Sequence, residues 1–223
     1  MIHAIITGDI IDSTHLNEAE RKKMLAILKK VFADLEEDSN NHDFKIYRGD
    51  SFQGVCNAPE EALLVSLKIK TALLRTGFTE SNKALDARLA IGIGTAGKVS
   101  KNIGLSDGEA FRNSGQLLNP KTKEEFKKLK DYKLLFKSPW EDVNAEVEVL
   151  LSAMDALMGK WTIEQAEVIY ELLNRKTQTQ IAAELSKSQS SISERVQNAN
   201  WLAISNILAR YETIVKQHTL KEA

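Results

Sequence analysis

Two aspartates early in this 223-residue chain sit where carboxylates can do metal chemistry. Asp9 lies in Gly8-Asp9-Ile10-Ile11-Asp12-Ser13-Thr14, at the end of a short isoleucine-rich run. Asp50 lies in Tyr47-Arg48-Gly49-Asp50-Ser51-Phe52, between two apolar runs. Carboxylates at the ends of adjacent strands can share a hard, oxygen-seeking cation such as magnesium. Two such cations can bridge a triphosphate and activate an attacking oxygen, and backbone amides in the turn after Asp9 can hold phosphate oxygens. Without a cation, two such charges ~4 Å apart repel by about 1 to 4 kcal/mol at surface-like dielectrics. Each aspartate taken singly has a plainer reading, Asp9 as a strand-end cap and Asp50 as ordinary Gly-Asp turn chemistry. Taken together they favour a metal or phosphate site. Asp9, Asp50 and the Ile10 backbone are the expected metal ligands, with magnesium or manganese and a nucleotide as the expected cofactors. Ser13, Thr14, Lys45 and Arg48 are the neighbouring candidates for the ligand itself.

The elements that must position these residues follow from apolar spacing. His3 to Ile11 reads as a buried strand. Met24, Leu25, Leu28, Val31, Phe32 and Leu35 line one face of a helix over 17–38, and Asn17 with Glu20 makes its N-cap. Phe44–Tyr47 and Phe52–Cys56 predict two strands of a hairpin. Asn57-Ala58-Pro59 opens a helix that runs to about Arg75, and Leu85–Ile93 is a further strand. Ser106 with Glu109, and Thr122 with Glu125, predict two capping boxes. Leu134–Phe136 is the last strand. One mixed sheet with helices packed on it, an α/β (α+β) arrangement, is the expected front domain, over 1–138.

Past Ser138-Pro139-Trp140 the strand signals stop. Ser138, Pro139 and Glu141 have the form of a capped helix start, and a connecting helix over 139–160 ends near Gly159. Thr162 and Gln165 box a first rear helix to Leu173; Gln178–Leu185 is a short second one; Ser188 caps a third that holds Ile192 and Val196. Two helices joined by a tight turn, sealed by Ile181, Ala182 and Leu185, make an all-α helix-turn-helix pattern over 161–223. Its third helix would offer Gln189, Ser190, Ser191, Ser193, Glu194 and Gln197 to base edges. Arg175, Lys176, Lys187 and Arg195 would meet phosphates. From Lys160 onward eight basic side chains face seven acidic ones, so a single copy binds DNA weakly and a homodimer is expected. Trp201, Ile204, Leu208, Tyr211 and Val215 form an apolar stripe that packs either on its own chain or on a second copy.

Composition limits the alternatives. A 43% apolar and 27% charged chain of net charge −1 is an ordinary globular protein, and any nucleic-acid contact must come from a local patch. Cys56 is the single cysteine, so no internal disulfide forms and a buried thiol is expected. The first residues lack a signal peptide's basic and apolar regions, and no run approaches the roughly 20 apolar residues of a membrane span, so a cytoplasmic protein is expected. His3, His15, His42 and His218 lack metal-ligand spacing. There is no Gly-x-Ser-x-Gly elbow and no Walker loop, and Gly92-Ile93-Gly94 lacks dinucleotide spacing.

The segments around Asp9 and Asp50, followed by Arg88-Leu89-Ala90-Ile91-Gly92-Ile93-Gly94, resemble class III nucleotide cyclases over roughly residues 2–118. That resemblance implies a ferredoxin-like, cyclase-like front domain with its first metal carboxylate at Asp9 and its second at Asp50. It also implies an asparagine and an arginine four residues apart. Here Arg112 stands in the asparagine's place and Gln116 in the arginine's; a neutral amide cannot replace a guanidinium that neutralises developing charge. Arg112 therefore joins the ligand-binding candidates, while the base-selecting lysine position falls on Ile46. A one-residue slip brings Asn113 near the asparagine slot without restoring the arginine. The resemblance thus implies binding without turnover, an active cyclase being the alternative. The rear pattern resembles the helix-turn-helix of sigma-factor region four and response regulators, with Ser186 and Lys187 where a turn glycine and an apolar residue are usual. Front and rear together resemble the SatD family, which implies an arrangement rather than an activity.

Overall fold

Alternation along the first strand sorts its side chains onto two faces. In β1 (Ile2–Ile10), Ile2, Ala4, Ile6 and Ile10 enter the main apolar core, whereas Ile5 joins a smaller cluster on the opposite side. The computed structural model describes every residue except 39–41, 48, 78–83, 97–106 and 223, and the side chains of Asp38 and Lys128. β1 pairs antiparallel with β3 (Ser51–Cys56) and with β4 (Ala87–Thr95). β2 (His42–Tyr47) closes the hairpin with β3, and β5 (Leu134–Lys137) runs parallel to β4, giving the order β2-β3-β1-β4-β5. This is the expected mixed sheet, and its first four strands have the interleaved order of a ferredoxin-like fold.

Helices α1 (Glu18–Asp38) and α2 (Ala62–Leu74) cover the Ile6 face, where Met24, Leu28, Leu63 and Leu67 are fully buried. Asn17 and Glu20 cap α1 reciprocally, at 2.9 and 3.0 Å, as the sequence predicts. The Phe52 ring lies against Gly8, where an added Cβ would meet it at 2.2 Å; only glycine fits beneath it. Cys56 is buried, donates to the Ala58 carbonyl at 3.0 Å, and burial pushes its thiol up to about 12.

A single helix, α3 (Glu109–Leu118), covers the other face. It lies so close to β4 that a Cβ on Gly92 would stand 2.3 Å from Ala110 O and from Ser114 N. Polar ties set its height: Thr7 Oγ1 donates to Ser114 Oγ (2.9 Å), and Asn113 Nδ2 donates to the Ile93 carbonyl (2.8 Å). The N-cap of α3 is Gly108, and the Glu109 carboxylate accepts from the Thr95 amide. This corrects the expected Ser106–Glu109 box, in which Ser106 itself lies outside the described residues. The Thr122–Glu125 box forms as expected, on α4 (Lys123–Leu129). At the head of α5 (Glu141–Met158), Asn144 reaches back to Ser138, so the cap is not the side chain of Ser138 expected from the sequence.

The rear helices are α6 (Ile163–Leu173), α7 (Gln178–Glu184), α8 (Gln189–Asn198) and α9 (Trp201–Lys221). Thr162 and Thr177 form capping boxes and Ser188 accepts from the Ser191 amide. Val168, Ile181, Ala182, Ile192 and Val196 make a small core between α6, α7 and α8. Ser186 turns the chain with φ 52°, the conformation that makes glycine usual at such a turn.

The α9 stripe does not stand open as a seam for a second copy. Ile204, Tyr211 and Val215 are buried in the same continuous core as β1, α1 and α2. Tyr211 sits edge-on to Phe136, and its hydroxyl donates to the Pro59 carbonyl at 3.2 Å. The homodimer expected from that stripe is therefore corrected on this point: the stripe packs on its own chain. Arg75, the C-cap of α2, stacks 3.7 Å above the Tyr170 ring and bonds Glu171 at 2.9 Å, tying α6 to the front layer.

Candidate functional site

Where α3 ends, at Leu118 and Asn119, it leaves the strand ends of its face uncovered. Thr7, Gly8, Asp9, Ile10, Ile11, Asp12, Ser51 and Arg88 line the resulting cleft, of about 360 Å³. Pairing puts Ser51, Asp9 and Arg88 in one cross-strand row, because Asp9 faces Ser51 on β3 and Arg88 on β4.

Asp9 and Asp50 are brought together by a shared hydroxyl. Ser51 Oγ lies 3.0 Å from Asp9 Oδ1 and 3.4 Å from Asp50 Oδ1, so the two carboxylates converge on one atom. The other Asp50 oxygen accepts from Ser13 Oγ at 2.7 Å. The Ile10 amide bonds the Asp50 carbonyl at 3.0 Å, which locks the hairpin tip to the end of β1. Asp12 takes a left-handed conformation, φ 58°, in the turn that follows. Among the described residues, no ion pair reaches Asp9 or Asp50, and no third His, Cys, Asp or Glu joins them as a metal cage. Two carboxylates and a backbone oxygen fit a magnesium-like ion that takes its remaining ligands from water and a bound phosphate.

The remaining front candidates are scattered. Ser13 is buried and spends its hydroxyl on Asp50, whereas Thr14 is exposed. Lys45 sits on β2 at 2.9 Å from Asp43, outside the cleft, and the hydrogen bond to Asp43 holds its ammonium above the usual range. Arg112, on the first turns of α3, pairs with Asp107 at 2.9 Å. Arg48 lies outside the described residues. Gln116 accepts from Lys137 Nζ at 3.2 Å, and Asn113 is committed to the Ile93 carbonyl.

On the rear helices, Lys187, Gln189, Ser190, Glu194 and Gln197 are exposed, and Ser191 and Ser193 are half-buried. Lys176 bridges Glu171 (2.9 Å) and Glu184, whose hydrogen bonds, Glu184's first, raise its ammonium. Arg195 stands 4.0 Å from Glu167, and Arg175 is exposed with φ 63°.

The model of the SatD family matches residues 3–205. The chain belongs to the SatD family. No curated protein matches this SatD-family chain. Among solved structures it is similar to the active GGEEF domain of a diguanylate cyclase from Vibrio cholerae, at 20% identity, 53% of this chain, 75% of that one and a TM-score of 0.39. It is also similar to a bacterial light-regulated adenylyl cyclase, at 17% identity, 60% and 74% coverage and a TM-score of 0.41. The catalytic core of a rhodopsin-guanylyl cyclase in complex with ATPalphaS gives 17%, 53%, 72% and 0.39. Likenesses of this size say nothing of what the SatD-family chain binds or catalyses.

Behind the cleft lies a buried ionic cluster that sequence reasoning missed. Asp86 accepts from Lys70 on α2 and from Lys133 Nζ at 2.7 Å, while its carbonyl takes the Ile11 amide at 3.0 Å. Lys70, 1% exposed, also donates to the Ala87 carbonyl at 2.8 Å. Burial alone would push the Asp86 carboxyl up; the charges of Lys70 and Lys133 and their hydrogen bonds outweigh it and hold Asp86 below the usual range. Burial pulls the Lys70 ammonium down. Asp155 on α5 caps the Lys133 and Leu134 amides at 2.7 and 3.0 Å, and burial raises its carboxyl. The cluster thus anchors the Ile11 turn of the cleft to α2, β5 and α5. A lysine inside an apolar helix and an aspartate just before a strand were its sequence signal.

Proposed function

We propose that this SatD-family protein is a DNA-binding transcriptional regulator whose cleft senses a nucleotide or other phosphate ligand together with magnesium or manganese. The convergence of Asp9 and Asp50 on Ser51 Oγ carries this reading. Two carboxylates with no fixed counter-charge between them are costly unless a cation arrives. When bound, the metal supplies charge neutralisation for phosphate oxygens. The protein's own groups do the rest: Ser13 and Ser51 aim the carboxylates, the Ile10–Asp50 backbone bond fixes their spacing, and the end of α3 limits the cleft.

Binding without turnover fits the placement of the residues that would stabilise developing charge. Gln116 is neutral and held by Lys137, and Arg112 is paired with Asp107. The working units are the sheet region over 1–138 and an all-α helix-turn-helix unit over 161–223, with 139–160 between them. The exposed side chains of α8 support its role as a groove-reading helix, with Lys187 and Arg175 on phosphates and two copies sharing the site. A role on DNA places the protein in the cytoplasm. Among the described residues no helix is long and apolar enough to cross a membrane.

Incubation with nucleoside triphosphates and manganese is expected to give no cyclic product; a cyclic product overturns the sensor reading in favour of an enzyme. In a salt-titrated gel shift on the protein's own promoter, Lys187→Ala is expected to lower the salt slope by about one. Absence of sequence-selective retardation at low salt, with and without nucleotide, removes the regulatory half.

A further inference from the structure

We propose that a second cleft, sharing no lining residue with the one at Asp9, binds an extended organic cation, a linear polyamine in chemical class. Its volume is about 400 Å³. One face of α2 makes the floor, where Glu61, the N-cap, is followed by Leu64, Val65 and Lys68 at helical spacing. The end of α1 makes one wall with Asp34, Leu35 and Glu37. The end of α6 and the turn after it make the other with Leu173, Asn174 and Arg175.

The charge of this cleft calls for a cation. Two helices end at it, and the C-terminal end of a helix carries partial negative charge. Basic side chains ordinarily offset that charge, but neither α1 nor α6 has one in its last turn; α1 finishes instead on Glu36, Glu37 and Asp38. Glu61 adds a further carboxylate to Asp34 and Glu37. Burial first, then the charges of Glu60 and Glu212, hold the Glu61 carboxyl above the usual range, although Arg175 and Lys68 pull the other way. The buried His42 also borders the cleft, with Nε2 3.6 Å from Glu61 Oε2, too far for a hydrogen bond. Lys68 and Arg175 thus neutralise the cleft only in part.

Its shape selects among cations. Asp34, Glu37, Glu61 and His42 do not converge on a point: among the described residues no group of three His, Cys, Asp or Glu can hold a metal ion. Apolar Leu35, Leu64, Val65 and Leu173 are interspersed with the acidic groups. The floor runs seven residues from Glu61 to Lys68, about 10 Å along the helix. A chain of ammonium groups separated by methylenes matches that pattern. Its ammoniums meet the carboxylates, and its methylenes cover the apolar floor. Such an occupant touches α1, α2 and the turn before α7 at once, so its binding holds the rear helices to the front layer.

The test is calorimetry of the full chain with spermidine at fixed ionic strength, without manganese, nucleotide or DNA, so that it stands apart from the sensor reading. One saturable site is expected, with a melting temperature that rises with spermidine concentration. Magnesium chloride at matched charge should reproduce neither effect. Glu61→Gln and Asp34→Asn should each weaken spermidine binding, Glu61→Gln by at least about tenfold. Arg175 holds φ 63°, which glycine adopts without strain; Arg175→Gly should therefore fold as the parent does and bind spermidine about threefold more tightly, a repelling charge being gone. Uptake that never saturates, or that magnesium matches, overturns the site. Parent-like binding by both Glu61→Gln and Asp34→Asn overturns its location. Weaker binding by Arg175→Gly, with the melting temperature kept, overturns the cationic class of the ligand.

Discussion

On one face of the sheet, Ile6, Phe52 and Leu89 meet α1 and α2, which are backed in turn by α6 and α9. On the other face a single ten-residue helix, α3, covers Ile5, Val55 and Gly92 and then stops. Both faces are made by the same strands, with side chains alternating between them. The difference lies in what covers them. The first face became a dry core that extends unbroken into the rear helices. The second leaves a strand-end row, Ser51, Asp9 and Arg88, open to solvent beyond Leu118. The site therefore sits where coverage ends, and water or a ligand can reach its carboxylates.

That contrast can be broken most forcefully on the covered face. Tyr211→Ala removes a fully buried ring and its hydrogen bond to Pro59; it should destabilise the chain by about 3 to 5 kcal/mol. Denaturation followed by tryptophan fluorescence and by circular dichroism should stay a single coincident transition. A rear unit that melts separately while the sheet keeps its stability would contradict a shared core.

Asp86→Asn probes the join between the two faces, since it leaves Lys70 buried without its carboxylate. The expected cost is about 3 to 5 kcal/mol. Its pH dependence has a definite sign. In the parent, Asp86 has a depressed pKa, so its contribution is present above 3.8 and is lost as pH falls through the folded value. In the variant, Lys70 governs: its folded pKa lies below 10.5, the folded state holds fewer protons than the unfolded, and stability rises with pH toward 10.5. Urea midpoints across pH report both trends.

On the open face the effects on stability should be small and those on binding large. Ser51→Ala is expected to cost about 1 kcal/mol of stability, yet to weaken manganese binding with nucleotide by about tenfold, as loss of an orienting partner does. Equal losses in both measurements would erase the distinction between the faces.

Much of the covered face could be read from the chain itself. The α1 stripe, the Asn17–Glu20 cap, the Thr162 box and the Ser188 cap are local patterns, and each forms as expected. The convergence of Asp9 and Asp50 was legible because both motifs end at strand tips. The destination of the α9 stripe was not, since periodicity marks an apolar face without saying what covers it. The placement of Arg88 opposite Asp9 was hidden for a similar reason: alternation is visible in the chain, but only the β1–β4 register sets which residues face each other. Lys45 and Arg112 looked near the site in sequence, but β2 lies two strands from β1, and Arg112 sits on the opening turns of α3, far along the helix from the Leu118 end.

The most direct test of the central claim is a manganese titration, with and without nucleotide, of the parent chain and of Asp9→Asn and Asp50→Asn, read by electron paramagnetic resonance. The parent should bind manganese, more tightly with nucleotide present, and each single substitution should abolish that binding while the melting temperature is kept. Manganese binding that survives both substitutions, or a parent chain that takes up none, would contradict the account.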